Sequence, residues 1–376
     1  MVWGDNGMKG PRVLVSGVVL SQPMGGVRRH NAELLPRVAE LLESVGGGLS
    51  VMEGSEPVGF PLPPSVIRVP SRVPAHPRLA RVIREGPAIR HVLSQADHKF
   101  DLVHFGHMPP PRRLPLPFTL TLHDLRGAES GQASRLSRAA ARRLHRSAVD
   151  RATLVMTVSE TVSMALISNY GASSGRIRVV PNAADHLEVR PRSLDQNAPI
   201  LHVGHVERHK NVGLLIRAIA TDPALPPVCL AGAPKGGEDE RLKKLANDLG
   251  VAQRVTFLGR VDEAKLPGLY SKAACVALPS KLEGFGIVAL EAQRAGVPLC
   301  VSDVEALGEV AGSHVPRFDS EDPQDCARAI REALSVSAAQ LESDRKGAMR
   351  FNWDRSAELL YDAWTEAASL RSRRGD

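Results

Sequence analysis

Two glutamates in the second half of the chain lie eight residues apart, around the start of a predicted helix. The segment Lys281–Glu291 follows an apolar run and opens a predicted helix, with Glu283 just before the helix and Glu291 about two turns inside it. Their eight-residue separation corresponds to about 12 Å along a helix, the size of a nucleoside diphosphate with a sugar attached. Carboxylates accept hydrogen bonds from hydroxyls, so Glu291 could hold a ribose and Glu283 a hexose.

The predicted helix start between these glutamates is suited to an anion. Gly284 and Gly286 carry no side chain, so a ligand can approach the backbone closely there. Free backbone N–H groups and the positive end of the helix dipole favour a phosphate at such a position. The alternative is that the glutamates are surface residues and the glycines ordinary turn residues.

A basic loop follows another predicted strand, Ile200–Gly204. It holds Arg208 and Lys210, and Asn211 can cap the helix that comes next. Two cations at the carboxyl end of a strand suit a leaving diphosphate, because lysine is a compact point charge and arginine can chelate two oxygens. The alternative is a solvated loop without a ligand.

The first half of the chain offers two further candidates. Gly25 and Gly26 lie between a predicted strand and a helix, where bare backbone could meet a phosphate or an acceptor. The spaced GxGxxG pattern of dinucleotide sites is missing. His123 ends the predicted strand Phe118–His123, and its ring could face a ligand or hydrogen-bond a loop carbonyl.

Other chemistries find little support in the sequence. The chain has no D-x-D pair to chelate a metal-bound diphosphate, no G-x-S-x-G elbow and no P-loop. Its four cysteines share no CxxC spacing and are expected to be reduced, buried thiols. We therefore expect neither a metal nor a bound cofactor, only a co-substrate.

These candidate residues need strands and helices that place them together at one edge of a sheet. The chain has 376 residues, of which 43% are hydrophobic and 24% charged, as expected for two globular domains. Short apolar runs alternate with amphipathic stretches, which predicts βαβ units and parallel sheets, an α/β fold. Ligands of such sheets bind beyond the carboxyl ends of the strands, where the candidates fall.

The predicted elements divide evenly between the two halves. Strands are predicted at Arg12–Leu20, Val66–Val69, Asp101–Phe105, Phe118–His123, Leu154–Ser159, Ile177–Val180, Ile200–Gly204, Val228–Ala231, Val255–Leu258, Ala274–Leu278 and Leu299–Ser302. Helices are predicted at Val27–Ser44, Pro77–Gln95, Ser134–Arg151, Glu160–Tyr170, Val212–Ala220, Glu238–Leu249, Glu263–Tyr270, Ile287–Ala295, Pro323–Leu334 and Arg355–Leu370. We expect domains at residues 1–185 and 186–352, joined within the proline-rich Pro181–Pro199, and a final helix at 353–376 that packs back on the first domain.

The net charge of +7 favours anionic partners. Nucleic acid is not expected, because only 4% of the residues are aromatic and no recognition motif is present. No run approaches the ~20 apolar residues of a membrane span, and the start of the chain lacks a secretory signal. These features predict a cytoplasmic location.

The predicted helix Ser134–Arg151 could make weak contact with the inner face of the membrane. Its six arginines are Arg135, Arg138, Arg142, Arg143, Arg146 and Arg151, and each could attract anionic headgroups by ~1 kcal/mol. Leu136, Ala140, Leu144 and Ala148 fall along one side, which we expect to pack on the sheet. The alternative is a solvated basic face on a structural helix.

Taken together, these segments resemble glycosyltransferase family four, the retaining enzymes of the GT-B fold. The resemblance covers nearly the whole chain and rests on Gly25-Gly26, His123-Asp124, Val158–Glu160, Ile177–Asn182, Val203–Asn211, Phe257–Gly259 and Glu283–Glu291. The last segment is that family's E-x7-E motif. The resemblance implies two Rossmann-like domains with parallel sheets facing a central cleft.

The same resemblance implies a role for each candidate. Glu283 would contact the donor sugar, Glu291 the ribose, and Arg208 with Lys210 the diphosphate. The backbone of Phe285–Ile287 would meet the phosphates or the sugar.

Two further implications concern other parts of the chain. His123 would face the donor from across the cleft, and Gly204, with Gly25 and Gly26, would belong to the donor-binding residues. In the family an arginine often follows the glycine at the position of Gly204 or precedes the lysine directly. Here His205 follows it and His209 separates the two cations, so whether His205, Arg208 or His209 replaces that arginine stays open.

The expected function is a metal-independent, retaining hexosyl transfer from a nucleoside-diphosphate sugar to a hydroxyl acceptor, which could be a glycan, a lipid-linked sugar or a small molecule. Charge on the departing diphosphate would be stabilised by Arg208, Lys210 and the helix start at Gly286. The alternatives are a nucleotide-sugar epimerase of the same fold and a catalytically silent nucleotide-sugar-binding protein.

Overall fold

The computed structural model describes residues 10–22, 25–95, 99–125 and 135–372, which form two compact units. Unit 1 contains the chain up to Pro181 together with the segment from Trp353 onward, and unit 2 contains Asn182–Asn352. The first residue of the predicted helix Ser134–Arg151 lies outside the described residues, as does the side chain of Arg135.

The described elements alternate along the chain as a βα protein requires. The strands are β1 (Arg12–Ser16), β2 (Gly48–Met52), β3 (Ile67–Val69), β4 (Leu102–Phe105), β5 (Phe118–Leu122), β6 (Leu154–Thr157), β7 (Ile177–Val179), β8 (Ile200–Val203), β9 (Val228–Ala231), β10 (Val255–Gly259), β11 (Cys275–Leu278), β12 (Leu299–Ser302) and β13 (Arg317–Phe318). The helices are α1 (Gly26–Ser44), α2 (Arg78–Ser94), α3 (Arg135–Arg151), α4 (Glu160–Tyr170), α5 (Gly213–Thr221), α6 (Glu238–Asp248), α7 (Leu266–Lys272), α8 (Ile287–Arg294), α9 (Glu305–Ala311), α10 (Pro323–Leu334), α11 (Ala338–Ala348) and α12 (Trp353–Ser372).

Unit 1 is built on a seven-stranded parallel sheet with the order β3-β2-β1-β4-β5-β6-β7. The chain winds outward from β1 to one edge and then from β4 to the other, so the topological switch point lies between β1 and β4. Helices α2, α3 and α4 share one hydrophobic core with the sheet, through residues such as Ile89, Val149 and Leu166. Helix α12 packs against α1, and its Trp353 and Trp364 are fully buried.

Unit 2 is built on a six-stranded parallel sheet with the order β10-β9-β8-β11-β12-β13. Strands β8, β9, β11 and β12 are buried along their whole length, which explains why they read as continuous apolar runs rather than alternating ones. Helices α5, α6 and α10 join a shared core with this sheet, and α8 contacts β11 and β12. The switch point lies between β8 and β11, which places their carboxyl ends side by side.

Local sequence sets several helix ends. Helix α4 begins where the Ser159 side chain accepts a hydrogen bond from the backbone of Val162, and it ends at Gly171 in the left-handed conformation. Helix α10 begins with Asp322 as its cap and Pro323 in the first turn, where a missing N–H costs nothing.

The predicted packing of α3 is wrong in its first half. Leu136 is 84% exposed and Ala140 is also exposed, whereas His145, Ala148 and Val149 are buried. The helix reaches the sheet core through its last two turns, so the leucine nearest its start has nothing to pack against.

The cysteine prediction is confirmed. Cys229, Cys275, Cys300 and Cys326 are all buried and carry free thiols. Burial raises the pKa of Cys275 to about 12, which keeps that thiol protonated and unreactive.

Candidate functional site

The basic loop and the glutamate segment meet at the carboxyl edge of the unit 2 sheet. Strand β8 ends at Val203, and the chain then forms a short 3-10 turn at Arg208–Lys210. The backbone N–H of Lys281 donates to the carbonyl of His209 at 2.8 Å, which ties this turn to the loop after β11. Residues far apart in sequence thus share one edge, as the parallel topology requires.

An ion pair joins the two loops. The Nζ of Lys210 lies 2.5 Å from the Oε1 of Glu283, and both side chains are mostly buried. The hydroxyl of Ser280 donates to the same carboxylate oxygen at 2.7 Å. Ser280 is itself held in place, because Ser302 donates to its carbonyl at 2.5 Å. The structure therefore brings together two of the predicted candidates, Lys210 and Glu283, and adds a fixed serine.

Glu291 is buried and clamped at both oxygens. The Tyr270 hydroxyl donates to Oε2 at 2.5 Å, and the Nε2 of His186 lies 3.0 Å from Oε1. Burial and the nearby Glu291 carboxylate raise the pKa of Tyr270 well above its usual value, so this hydroxyl is a permanent donor. The surface-residue alternative is thereby excluded for Glu291.

Sequence reasoning missed Tyr270 and His186. Tyr270 stood at the end of a predicted helix, and His186 lay in the predicted linker, so neither had a local pattern to single it out. The one available signal was Glu291 itself. A glutamate on the buried face of a helix needs hydrogen-bond donors from other elements, so such partners could be expected although not named.

Two glycines give these loops shapes that other residues could not adopt. Gly286 precedes α8 with φ 100°, and a Cβ there would lie 2.6 Å from the side chain of Leu307. Gly204 has φ 125°, and a Cβ on the neighbouring Gly232 would collide with its carbonyl oxygen. Both positions need glycine for their backbone geometry. For Gly286, the alternative of an ordinary turn residue therefore explains part of why a glycine is there.

The helix start between the glutamates is the predicted phosphate site. Helix α8 begins at Ile287, and its N-cap residue, Gly286, has no side chain to cap the first turn. The ring of Phe285 is buried against Phe351 with centroids 5.6 Å apart, so this residue offers only its backbone to a ligand. Gly284 is buried between Glu283 and Phe285.

Arg208 points away from the ion pair. Its side chain is 62% exposed, and its Nε lies 3.4 Å from a carboxylate oxygen of Glu238 in α6. Asn211 adopts the left-handed conformation and donates to the carbonyl of Ser320 at 2.7 Å, so the prediction that it caps α5 is wrong.

The three histidines in and near this loop have different neighbours and different pKa shifts. His209 has its Nδ1 3.4 Å from Glu207. Burial and then the charge of Lys235 lower the pKa of the half-buried His205. Burial and then the charge of Lys210 lower the pKa of His202, which lies beneath the loop, to about 4. None of these contacts selects a substitute for the family arginine.

The unit 1 candidates lie at the carboxyl edge of their own sheet. Gly25 has φ 54° and is the N-cap of α1, which begins at Gly26. His123 directly follows β5, and its ring meets that of the buried His30 of α1 edge-on, with centroids 4.8 Å apart. The first turns of α1 therefore bring the Gly25-Gly26 loop and His123 to one side of unit 1.

Two negative observations apply to the residues that the structure describes. No group of three His, Cys, Asp or Glu side chains is arranged to hold a metal ion. Across the same described ranges, no helix is long and apolar enough to cross a bilayer.

Comparison with known proteins gives relatives for both units. Residues 188–347 match the family model of glycosyl transferases group 1, and residues 24–186 match that of glycosyltransferase family 4. The D-inositol 3-phosphate glycosyltransferase of Gordonia bronchialis is 33% identical over 251 residues, 58% of this chain and 53% of that protein. The enzyme of the same name from Mycolicibacterium smegmatis is 31% identical over 237 residues, which cover 59% of this chain and 54% of that protein. The chain thus spans about half the length of the curated relatives it matches.

Solved structures show the same fold at low identity. Sucrose-phosphate synthase from Thermosynechococcus elongatus has a TM-score of 0.79 at 18% identity, covering 96% of this chain and all of that one. WaaG, a glycosyltransferase involved in lipopolysaccharide biosynthesis, has a TM-score of 0.70 at 20% identity. The match covers 93% of this chain and 98% of WaaG. These likenesses confirm the predicted pair of Rossmann-like domains, and the two family models confirm the resemblance drawn from the motifs. The chain belongs to glycosyltransferase family four.

Proposed function

We propose that the protein is a retaining, metal-independent glycosyltransferase, and that the carboxyl edge of unit 2 binds its nucleoside-diphosphate sugar. The observation that carries this is the arrangement around the start of α8, with Lys210 and Glu283 on one side and the clamped Glu291 on the other. Support comes from Anabaena Alr3699/HepE, of similar fold, which was solved in complex with UDP and glucose (TM-score 0.69, 20% identity).

Each side chain then has a distinct task. Lys210 would exchange Glu283 for the diphosphate oxygens, because a buried ammonium keeps its charge balanced only if an anion replaces the carboxylate. Glu283, still held by Ser280, would accept hydrogen bonds from the hydroxyls of the transferred sugar. Glu291 would bind the ribose, since a carboxylate can accept hydrogen bonds from two neighbouring hydroxyls.

The reaction follows from where charge develops. The bond between the anomeric carbon and the diphosphate oxygen breaks, and a bond to the acceptor oxygen forms on the same face. The acceptor's proton passes to the leaving phosphate. Lys210 and the N–H groups at the start of α8 stabilise the departing diphosphate, which requires no metal. Glu283 forms no covalent bond in this reaction, because the acceptor oxygen bonds directly to the anomeric carbon.

A thermal-shift screen against UDP, GDP, ADP, TDP and their sugars tests the proposal, because a ligand that binds only the folded state raises the melting temperature. We expect one nucleotide family to stabilise the wild type. Lys210→Ala should abolish the shift, and Lys235→Ala should keep it, because Lys235 is an exposed lysine paired with Glu207 at 2.9 Å. Incubation of the donor alone should give no epimer; formation of an epimer would instead support the epimerase.

We further propose a cytoplasmic location with weak contact between α3 and the inner face of the membrane. Arg142, Arg143 and Arg146 are exposed along this helix. Each could attract an anionic headgroup by ~1 kcal/mol, which would suit a lipid-linked acceptor.

A further inference from the structure

The solvent face of α2 carries a pair of large aliphatic side chains. Leu79 is 70% exposed and Ile83 is 62% exposed. Residues four apart lie next to each other on one side of a helix, so the two form a single patch. Pro87, one turn further on, is exposed as well. Single exposed aliphatics are common on soluble proteins, but a contiguous patch indicates a contact surface.

The exposed charged residues of α2 all have one sign. Arg78, Arg84 and Arg90 are exposed, and Glu85, the one acidic residue of α2, is fully buried. The exposed face of the helix therefore combines aliphatic tips with cations. This is the composition of helices that lie in the headgroup region of an anionic bilayer.

Helix α3 lies on the same face of the sheet as α2. Ile89 of α2 and Val149 of α3 belong to one core cluster, so both helices cover the same face of the sheet. The first turn of α3 presents Leu136 to solvent. A groove of about 790 Å³ beside α3 is lined by Arg142, Arg143 and Arg146, with Asn169 and Tyr170 from α4. This groove offers phosphate headgroups a mainly basic recess, although the carboxylate of Asp150 also lines it.

The inner face of α2 fixes the helix to the sheet. Glu85 accepts a hydrogen bond from Ser16 at 2.5 Å and lies 2.9 Å from the Nε2 of His107. Arg81 donates to the carbonyl of Met108 at 2.8 Å. Ser16 ends β1 and His107 follows β4, so α2 is held at the carboxyl ends of the two central strands of unit 1. The aliphatic patch is thus presented from a rigid support.

We propose that α2 and the start of α3 form a membrane-docking surface, on which Leu79 and Ile83 enter the boundary between headgroups and acyl chains of an anionic bilayer. This inference rests on the membrane contact proposed for α3 and names the residues that enter the lipid. A second copy of the chain is disfavoured as the occupant, because two such faces would bring like-charged arginines together. The aliphatic pair supplies shallow insertion, and the arginines supply selectivity for anionic lipid.

Flotation with vesicles of phosphatidylcholine, with and without phosphatidylglycerol, tests the surface at low and at physiological salt. The wild type should bind only the anionic vesicles. Leu79→Ser with Ile83→Ser should weaken that binding about tenfold at both salt concentrations, since apolar insertion is not screened. Arg142→Gln with Arg143→Gln and Arg146→Gln should instead flatten the salt dependence. Met349→Ser, at an exposed aliphatic of unit 2, should bind as the wild type does.

Several outcomes would overturn the proposal. It is wrong if the Leu79/Ile83 double variant floats like the wild type, or if the wild type binds no vesicle even at low salt. It is also wrong if sedimentation velocity shows a dimer that the double variant dissociates, because the patch would then be a self-association surface. The nucleotide thermal shift is measured on the same samples. Lost flotation with an intact shift rejects the docking surface alone, whereas a missing shift in the wild type rejects the donor site.

Discussion

At the scale of single residues, the two glutamates of the E-x7-E motif are held by different partners. Glu283 pairs with a cation that can leave, Lys210, whereas Glu291 is held by the neutral hydroxyl of Tyr270 and by His186. A carboxylate whose partner can exchange is suited to contacts that change during reaction. One that is clamped is suited to a constant binding contact. The two roles can be separated by kinetics.

We expect Glu291→Ala mainly to raise KM for the donor and Glu283→Ala mainly to lower kcat. Loss of a contact that is equal in ground and transition states changes KM, whereas loss of one that strengthens in the transition state lowers kcat. Steady-state kinetics with the nucleotide sugar found by thermal shift gives both constants. The assignment fails if both variants keep kcat/KM within about twofold of the wild type.

The clamp on Glu291 predicts two positioning residues. Tyr270→Phe removes a hydrogen bond to a carboxylate, which is worth about 1.5–3 kcal/mol, so KM should rise roughly tenfold or more while kcat changes little. His186→Ala should act in the same direction. His186→Gln should restore part of the affinity, because its amide N–H can reach the position of Nε2. Equal losses in Ala and Gln, with kcat falling instead of KM rising, would mean a purely structural role.

The sequence could predict those site residues that stand in a recognisable motif, but not those whose role depends on a partner distant in sequence. Lys210, Glu283 and Glu291 stood in a motif, and the structure brings the first two within hydrogen-bond distance. The orientation of Arg208 could not be read from its loop, because it depends on Glu238 in another helix. Tyr270 and His186 were invisible for the same reason, since each acts only through a carboxylate distant in sequence.

At the scale of elements, segments with a clear apolar or amphipathic pattern were predictable and the others were not. Strands β9 and β12 and helices α4 and α10 have the predicted bounds. Strand β2 starts within a run of glycines, and β13 has only two residues, so neither gave a periodic pattern. Helices α9 and α11 were also missed, because α9 spans only seven residues and α11 has a single large apolar side chain, Leu341, among its eleven residues.

The start of α8 predicts a backbone requirement. Gly286→Ala should lower stability by about 1–3 kcal/mol, because φ there is unfavourable for any side chain, and the methyl group would also press on Leu307. Gly347 of α11 is the matched control, since a Cβ there meets nothing within 4 Å and alanine favours a helix. Chemical denaturation of both variants measures the difference. A Gly286→Ala protein as stable as Gly347→Ala would show that the loop can relax.

At the scale of the whole molecule, each unit carries its own sheet and its own candidates. The final helix α12 belongs to unit 1 although it follows unit 2 in sequence, and ion pairs such as Arg37–Asp354 at 2.8 Å and Arg178–Glu366 at 2.5 Å attach it there. The proposed diphosphate, sugar and ribose contacts, Lys210, Glu283 and Glu291, lie in unit 2, and the basic helices α2 and α3 lie in unit 1. Mutations can therefore separate donor binding from membrane docking. Measuring flotation and the nucleotide thermal shift on the same samples makes use of this separation.

The most direct test of the donor site is a calorimetric titration of the stabilising nucleoside diphosphate into wild type, Lys210→Ala and Arg208→Ala, with EDTA present throughout. A buried diphosphate that loses its charged partner should bind about 2–5 kcal/mol more weakly, so Lys210→Ala should lose at least about thirtyfold in affinity. Arg208→Ala should lose far less, because that side chain is exposed and faces Glu238. Equal, small losses in both variants, or wild-type binding that EDTA abolishes and Mg²⁺ restores, would contradict a metal-free donor site centred on Lys210 and Glu283.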